Sequence, residues 1–293
     1  MAKPFVKWAG GKTQILNEIR ARYPADLGGR INKYAEPFVG GGAVLFDVLS
    51  KFTMEEVYIS DVNSELITTY ISIRDNVHAL IDRLKQLEEE YHIANIEQRK
   101  AIYYNVRARF NELKKQFDEP IEISALFIFL NRTCFNGLYR VNSKGNFNVP
   151  QGSYKKPCIC DEDNLIAVSN ALQNVEIICG DYTLSEIFID DTTFVYFDPP
   201  YRPLSATSNF NSYSQDGFND NEQIRLANFF NAMSDIGAYI IASNSDPKNV
   251  DDEDEFMDNI YVRYTITRID ASRSINSVAV NRGKIKELII ANI

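Results

Sequence analysis

The stretch Phe194-Val195-Tyr196-Phe197-Asp198-Pro199-Pro200-Tyr201 constrains this chain more than any other. Four apolar residues predict a strand buried on both faces, as in the middle of a parallel sheet. The strand runs straight into a carboxylate, two prolines and an aromatic ring. Proteins with open α/β sheets place ligands outside the carboxyl ends of such strands. Consecutive prolines lack backbone donors and have fixed φ angles, so the corner is stiff. Asp198 and the carbonyls beside it become acceptors with few local donors, and Tyr201 offers a flat face. That set grips a planar molecule bearing an amino group, by its edge and by its face. An ordinary turn after a strand would read the same way, so the rest of the chain has to decide.

At 293 residues the chain has room for one large domain or a core with a smaller lobe. Its net charge of −9 argues against a protein that coats nucleic acid everywhere, but leaves room for a local basic face. Cys134, Cys158, Cys160 and Cys179 form no CxxC pair, and the only histidines are His78 and His92. That usage argues against structural zinc and predicts buried free thiols in a reducing compartment. Met1-Ala2-Lys3-Pro4 is not a signal-peptide start, and no run approaches a membrane span. A cytoplasmic protein is expected.

Near the amino terminus, Lys7-Trp8-Ala9-Gly10-Gly11-Lys12-Thr13 precedes a helical pattern at Ile15, Leu16 and Ile19. A Walker A loop would need its first glycine at Val6, which disfavours a nucleoside triphosphate site. The glycines allow a ligand close to the backbone, Trp8 can cover an apolar or cationic group, and Lys12 can hold a carboxylate. A glycine turn with a core tryptophan is the plainer alternative. Lys33 to Phe46 reads as strand, glycine turn (Gly40-Gly41-Gly42) and helix. Leu45 stands where a dinucleotide fingerprint wants its last glycine, so nicotinamide binding is disfavoured. Val57 to Asp61 is a strand ending in an acid about 20 residues further on, a position that commonly accepts from ribose hydroxyls. Asp61 could instead cap the next helix, although Asn63 and Ser64 could do so equally well and leave Asp61 freer.

From Leu66 to Tyr91 apolar residues recur at helical spacing, with Asp75-Asn76 as a break. Ile102, Val106, Phe110, Leu113 and Phe117 mark another helix ended by Asp118-Glu119-Pro120. Ile121–Leu130 is apolar nearly all round and predicts a buried helix. Glu88-Glu89-Glu90 reads as a solvated face. Between Ile123 and Cys160 there is no acidic residue, in a chain with 40 of them, so this window is the local basic face that the net charge allows. It holds Arg132, Arg140, Lys144, Lys155 and Lys156 among Asn136, Asn142, Leu138, Pro150, Tyr154 and Phe135. Cations would neutralise phosphates, Arg and Asn suit base edges, and a bulky apolar residue can enter a base stack. A positive hairpin with no partner is the alternative.

In the second half, Val175 to Asp181 reads as another strand ending in an acid. Arg202 to Gly217 predicts a mobile loop over the corner. A helix around Leu226 ends at Gly237, and Ala238 to Ser245 predicts a strand. Asp251 to Glu255 reads as a solvated helix face, Tyr261 to Ile266 and Glu287 to Asn292 as strands, and Arg268 to Asn276 as a polar loop. Strands separated by helices, with glycine turns and acids at strand ends, imply a mostly parallel α/β sheet.

Taken in order, Lys7–Lys12, Glu36–Gly42, Asn136–Asn142, Phe147–Pro150 and Asp198–Tyr201 resemble the Dam-type DNA adenine-N6 methyltransferases of class alpha. The chain is especially similar to the GATC-specific adenine methylases of restriction systems. The resemblance covers nearly the whole chain. It implies a Rossmann-like, S-adenosylmethionine-dependent methyltransferase fold: a catalytic, cofactor-binding domain over 1–61 and 159–293, and an inserted, mainly helical DNA target-recognition domain over 62–158. It implies that Trp8, Lys12, Phe38 and Gly40 surround the methionine part of S-adenosyl-L-methionine. Asp61 would take the ribose and Asp181 the adenine of the cofactor. Asp198, Pro199 and Tyr201 would be catalytic, with Asp198 also close to the cofactor. Lys7, Leu138 and Arg140 match positions that read the target, and Phe135 stands where a tyrosine is more usual. The implied partners are double-stranded DNA and a cognate restriction endonuclease, with no membrane and no metal, for a monomer or weak dimer from a bacterium or phage. A methyltransferase acting on cytosine N4, on an amide or on an RNA base, and a DNA-binding relative without catalysis, are the competing readings; Asp198 weighs against the first, and the Asp198–Tyr201 turn, Lys12 and Asp61 against the second.

Overall fold

The computed structural model describes residues 1–116, 118–202, 218–272 and 284–293. Seven strands form one sheet in the order β3-β2-β1-β4-β5-β7-β6. They are β1 (Lys33–Glu36), β2 (Glu56–Asp61), β3 (Val175–Cys179), β4 (Thr193–Phe197), β5 (Tyr239–Ser245), β6 (Thr265–Ser272) and β7 (Lys284–Ala291). Strand β1 runs parallel to β2 and β4, and β4 parallel to β5, whereas β7 is antiparallel to both β5 and β6. The mixed α/β, mostly parallel reading holds. All five residues of β4 are buried. Its β-branched and aromatic side chains suit a strand covered on both faces.

Helices α1 (Leu16–Arg20), α2 (Ala43–Lys51), α3 (Ser64–Ile93), α4 (Ile96–Leu113), α5 (Pro120–Thr133), α6 (Glu162–Ala171), α7 (Asp220–Asp235) and α8 (Phe256–Ile260) complete the described chain. Local chemistry sets their ends. The Asn63 side chain accepts from the Leu66 N–H and starts α3. Asn95 and Gln98 form a reciprocal capping box on α4. Pro120 opens α5, where its missing N–H costs nothing. Gly237, at φ +96°, follows α7. The break expected at Asp75-Asn76 is a kink: Asn76 sits at φ −139°, ψ 37° inside α3.

The chain packs as two compact units. One comprises Met1–Gly11, Gly40–Lys51 and Ser60–Gly180; the other comprises Lys12–Val39, Phe52–Ile59 and Asp181–Ile293. In the first, α5 is buried from Ile123 to Asn131, as its all-round apolar pattern requires. In the second, Phe194, Val195, Tyr196, Phe197, Ile240 and Ile241 form the centre of the sheet core.

Several local expectations change. Residues 251–255 are not helical, and Asp254 caps the Phe256 N–H while pairing with Arg202. Strand β6 starts at Thr265 rather than Tyr261, and Arg268 belongs to it instead of to a loop, held by Asp246 and Asp258. Glu88 is half-buried and accepts from the Ile159 and Cys160 N–H groups, so only Glu89 and Glu90 are a solvated face. Cys134 is the one fully buried thiol; Cys158 and Cys179 are exposed. The loop expected over 202–217 and the 273–276 part of the polar loop lie almost wholly outside the described residues, as does Phe117.

Candidate active site

Asp198 follows β4 at the carboxyl end of the sheet's most buried strand. The parallel register pairs Phe197 with Ala242, so the next residues on the two strands, Asp198 and Ser243, come side by side. The Ser243 hydroxyl donates to Asp198 Oδ1 at 3.1 Å and shares a 2.8 Å hydrogen bond with the buried Tyr196 hydroxyl. The Lys12 ammonium lies 2.7 Å from the same Oδ1. Burial pushes the Asp198 carboxyl above the usual carboxylate range; Lys12 pulls against it, Glu287 adds to the rise, and Ser243 lowers it.

Tyr201 completes the corner. Its hydroxyl donates to Glu287 Oε2 at 2.8 Å, and the Lys12 ammonium sits 4.8 Å from its ring centroid. Burial, with Asp198 and Glu287 nearby, raises the Tyr201 phenol well above its ordinary value, so it remains a donor. Gln223 of α7 holds the corner from behind: its Nε2 donates to the Pro200 carbonyl at 3.1 Å and its Oε1 accepts from Asn244 at 3.0 Å. A cation thus rests between a carboxylate and an aromatic face, in a corner whose backbone is fixed by proline and by a buried amide.

At the end of β1, Phe38 packs on Tyr182 (5.2 Å between centroids), Phe197 and Phe218. Phe38 is half-buried, so part of this aromatic cluster stays accessible. Asp181, beyond β3, accepts from the Thr183 N–H and hydroxyl and makes a two-pronged pair with Arg225 at 2.8 and 3.0 Å. Burial works to raise its carboxyl, but Arg225 and Thr183 outweigh that and hold it below the usual range.

The other unit carries the glycine turn. Asp61 ends β2; its Oδ2 accepts from the Gly40 N–H at 3.1 Å and its Oδ1 from the Asn63 N–H at 2.9 Å. Asn63 is indeed the helix cap, but Asp61 is not freed by it: the carboxylate braces the glycine turn. Gly40, at φ +47°, lies under Trp8, and a Cβ there would come within 2.6 Å of the indole Cδ1. Trp8 stacks on Tyr139 with centroids 5.9 Å apart. The Tyr139 hydroxyl donates to Glu65, which pairs with Lys114.

Residues 8–275 match the family model described as D12 class N6 adenine-specific DNA methyltransferase. The chain belongs to this D12 family. It is 49% identical over 292 residues to the type II methyltransferase M.MjaIII of Methanocaldococcus jannaschii, covering 99% of each chain. It is 36% identical to the type II methyltransferase M1.LlaDCHI of Lactococcus lactis subsp. cremoris, over 99% of this chain and 95% of that one. With the DNA adenine methylase of Escherichia coli K12 it shares 32% identity, over 98% of this chain and 94% of the relative. The activity of this D12 enzyme is therefore DNA adenine-N6 methylation, on a methyltransferase Rossmann-like fold.

The basic window of the D12 enzyme is a hairpin-like segment closed by isolated bridges Val141↔Phe147 and Cys134↔Gln151. Phe135 is 51% exposed, unusual for so large an apolar side chain. Asn136, Lys144, Pro150 and Lys155 are exposed as well. Leu138 is half-buried. Arg140 donates to Asn148 at 2.7 Å, and Asn142 closes the turn by accepting from the Lys144 and Asn146 N–H groups. Lys7 lies over the Tyr154 ring, 4.5 Å from its centroid, and donates to its hydroxyl. Arg132 is half-buried, and its Nη2 donates to the Phe5 carbonyl at 2.8 Å. Sequence reasoning missed Ser243, Gln223 and Glu287, which act on the corner from β5, α7 and β7. The one signal available was polar residues, Ser243-Asn244-Ser245, at the end of an otherwise apolar strand.

Proposed function

We propose that this enzyme moves a methyl group from S-adenosyl-L-methionine to N6 of an adenine flipped out of duplex DNA, within GATC. The observation that carries the reading is the Asp198–Tyr201 corner at the end of β4. The cofactor is a sulfonium cation, and this corner accommodates one: the Lys12 ammonium beside Asp198 and Tyr201. The residues present therefore fit the group. When bound, it supplies an electrophilic methyl group. Lys12 would take the cofactor's carboxylate, the accessible face of Phe38 its apolar surface, and Asp181 its adenine amino group, with Asp198 close by. Trp8 and Gly40 would contact its methionine portion and Asp61 its ribose hydroxyls.

The adenine amino nitrogen is a poor nucleophile, since its lone pair is delocalised into the ring. Within the duplex it is also out of reach, and extrusion costs about a few kcal/mol. Tyr201 would stack on the extruded base. Asp198 and the Pro199 carbonyl would accept the two amino hydrogens, favour a pyramidal nitrogen and put negative charge beside developing positive charge. The stiff corner supplies positioning at no further entropic cost.

Residues 62–158 would read the target, and 1–61 with 159–293 would hold the cofactor and the chemistry. Lys7, Leu138 and Arg140 would contact bases, Phe135 would fill the stack, and Arg132, Asn136, Asn142, Lys144, Pro150, Tyr154 and Lys155 would line the DNA. The exposure of Phe135 supports its part, because a wedge must reach solvent before it meets DNA. GATC is the target implied by the likeness to Dam-type enzymes. The type II names of the relatives support a restriction endonuclease as biological partner. Plasmid treated with the enzyme and cofactor should resist GATC cleavage by an endonuclease blocked by adenine methylation. Asp198→Ala should remove that protection while cofactor binding partly survives. Protection by the Ala variant would refute the role of Asp198, and N4-methylcytosine in digested product would refute the target atom.

A further inference from the structure

Asn131, in the last turn of α5, is 4% exposed and has all three of its hydrogen bonds aimed at backbone. Its Oδ1 accepts from the Lys7 N–H at 2.8 Å; its Nδ2 donates to the Lys7 carbonyl at 2.8 Å and to the Gly137 carbonyl at 3.0 Å. The two carbonyls and one N–H around it fix which end of the amide is oxygen. One side chain thus pairs Lys7 as a strand neighbour would, and ties it to a turn far along the chain. Arg132 adds a second hold through the Phe5 carbonyl at 2.8 Å, and the Phe5 ring packs edge-on against Tyr70.

The tied turn is unusual in its backbone. Asn136 lies at φ +56° and Gly137 at φ +65°. A Cβ on Gly137 would come within 2.5 Å of Lys7 Cδ, so the Lys7 stem crosses directly over this glycine. Lys7 and the segment from Leu138 to Arg140 are therefore set against each other by one buried amide and one missing Cβ, all within a single compact unit.

We infer that Asn131 is a specificity-positioning residue: it fixes Lys7 against the Gly137–Arg140 turn so that both read one DNA target in a common register. The inference rests on the proposed reading, in taking Lys7, Leu138 and Arg140 as target readers. Base discrimination depends on hydrogen-bond geometry that fails when a donor shifts by about 1 Å. Phosphate contacts survive such a shift and carry no sequence information. Loosening the tie should erode discrimination before it erodes methylation.

The test measures kcat/KM of the full-length enzyme on a GATC duplex and on duplexes with each base changed in turn. Asn131→Asp keeps the shape and the acceptor but turns both donations into repulsions. Asn131→Ala removes the tie without adding charge, and covers the case in which the Asp variant does not fold. Each variant is assayed well below its own melting temperature. Wild type should discriminate by about 10- to 100-fold per changed base. The variants should lose about tenfold of that ratio at one base or more, with a smaller fall on GATC itself. An equal fall on every duplex, leaving the ratio intact, would mean that Asn131 only holds the fold, and the inference is overturned. Should wild type prefer another sequence, the GATC assignment falls, and the same ratios taken against the preferred sequence still decide the role of Asn131.

Discussion

Replacing Lys12 by methionine and Asp198 by asparagine, singly and together, tests whether the two act as one buried unit. Their charged atoms are 2.7 Å apart, with side chains 4% and 20% exposed. At an effective dielectric of about 20 the gross attraction is about 6 kcal/mol. Desolvation of both ions offsets much of it, leaving the pair about 2 kcal/mol net, but removal of one partner leaves a buried charge without its ion pair at a cost of about 3–5 kcal/mol. The remaining exposure of Asp198 favours the lower end of that range. Each single variant should lose about 3 kcal/mol and the double variant about 2, a coupling of about 4 kcal/mol. The two singles differ in a further respect. After Lys12→Met the carboxylate can take up a proton, which recovers about 1.4 kcal/mol per pH unit, so the loss should shrink as pH falls. Urea unfolding of the four proteins without cofactor or DNA, followed by circular dichroism and by the fluorescence of Trp8, gives the cycle, and coincidence of the two probes checks two-state behaviour. Losses that simply add would refute the pairing.

Three further outcomes follow from the same geometry. Because burial raises the Asp198 carboxyl, methylation should fail as pH drops through that raised value; Ser243→Ala removes a donor that lowers it, and should move the acid limb of the kcat profile to higher pH. The sign for stability is opposite: the raised group contributes stability below the ordinary carboxylate range, which is lost as pH rises through its folded value, as calorimetry at several pH values would read. Gly40→Ala should destabilise by about 1–3 kcal/mol and shift the Trp8 emission, since its Cβ would meet the indole and its φ is +47°; an unchanged spectrum would contradict the close approach. Tyr201→Phe keeps the ring and loses only the bond to Glu287, and should lower kcat by about tenfold or less, whereas Tyr201→Ala should lower it by about a hundredfold or more; equal losses would mean the hydroxyl matters more than the face.

The sequence made some of this legible and hid the rest for identifiable reasons. Strand β4 was plain because a run of β-branched and aromatic residues ends at a double proline. The α3 kink and the cap at Asn63 were readable because capping and helix breaking are local. Glu88 was misread as solvated because its partners, the Ile159 and Cys160 N–H groups, are remote in sequence. The hydrogen bond from Arg132 to the Phe5 carbonyl was not readable either, because that partner lies far earlier in the chain. The acidic run at 251–255 has no helical period, and a turn-bound Asp254 was reachable only through Arg202.

By itself, the sequence determined the mostly parallel sheet, the stiff acceptor corner at Asp198 to Tyr201, the glycine turn with an acid at the following strand end, and the family. These depend on neighbours in the chain, where hydrophobic period, proline and glycine act directly. Only the tertiary structure decided what each polar group is bonded to: Ser243 against Asp198 through the β4–β5 register, Glu287 on Tyr201, Arg225 on Asp181, and Asn131 across Lys7 and Gly137. Hydrogen bonds reach only about 3 Å, so partners far apart in sequence are set by packing, which no local pattern encodes.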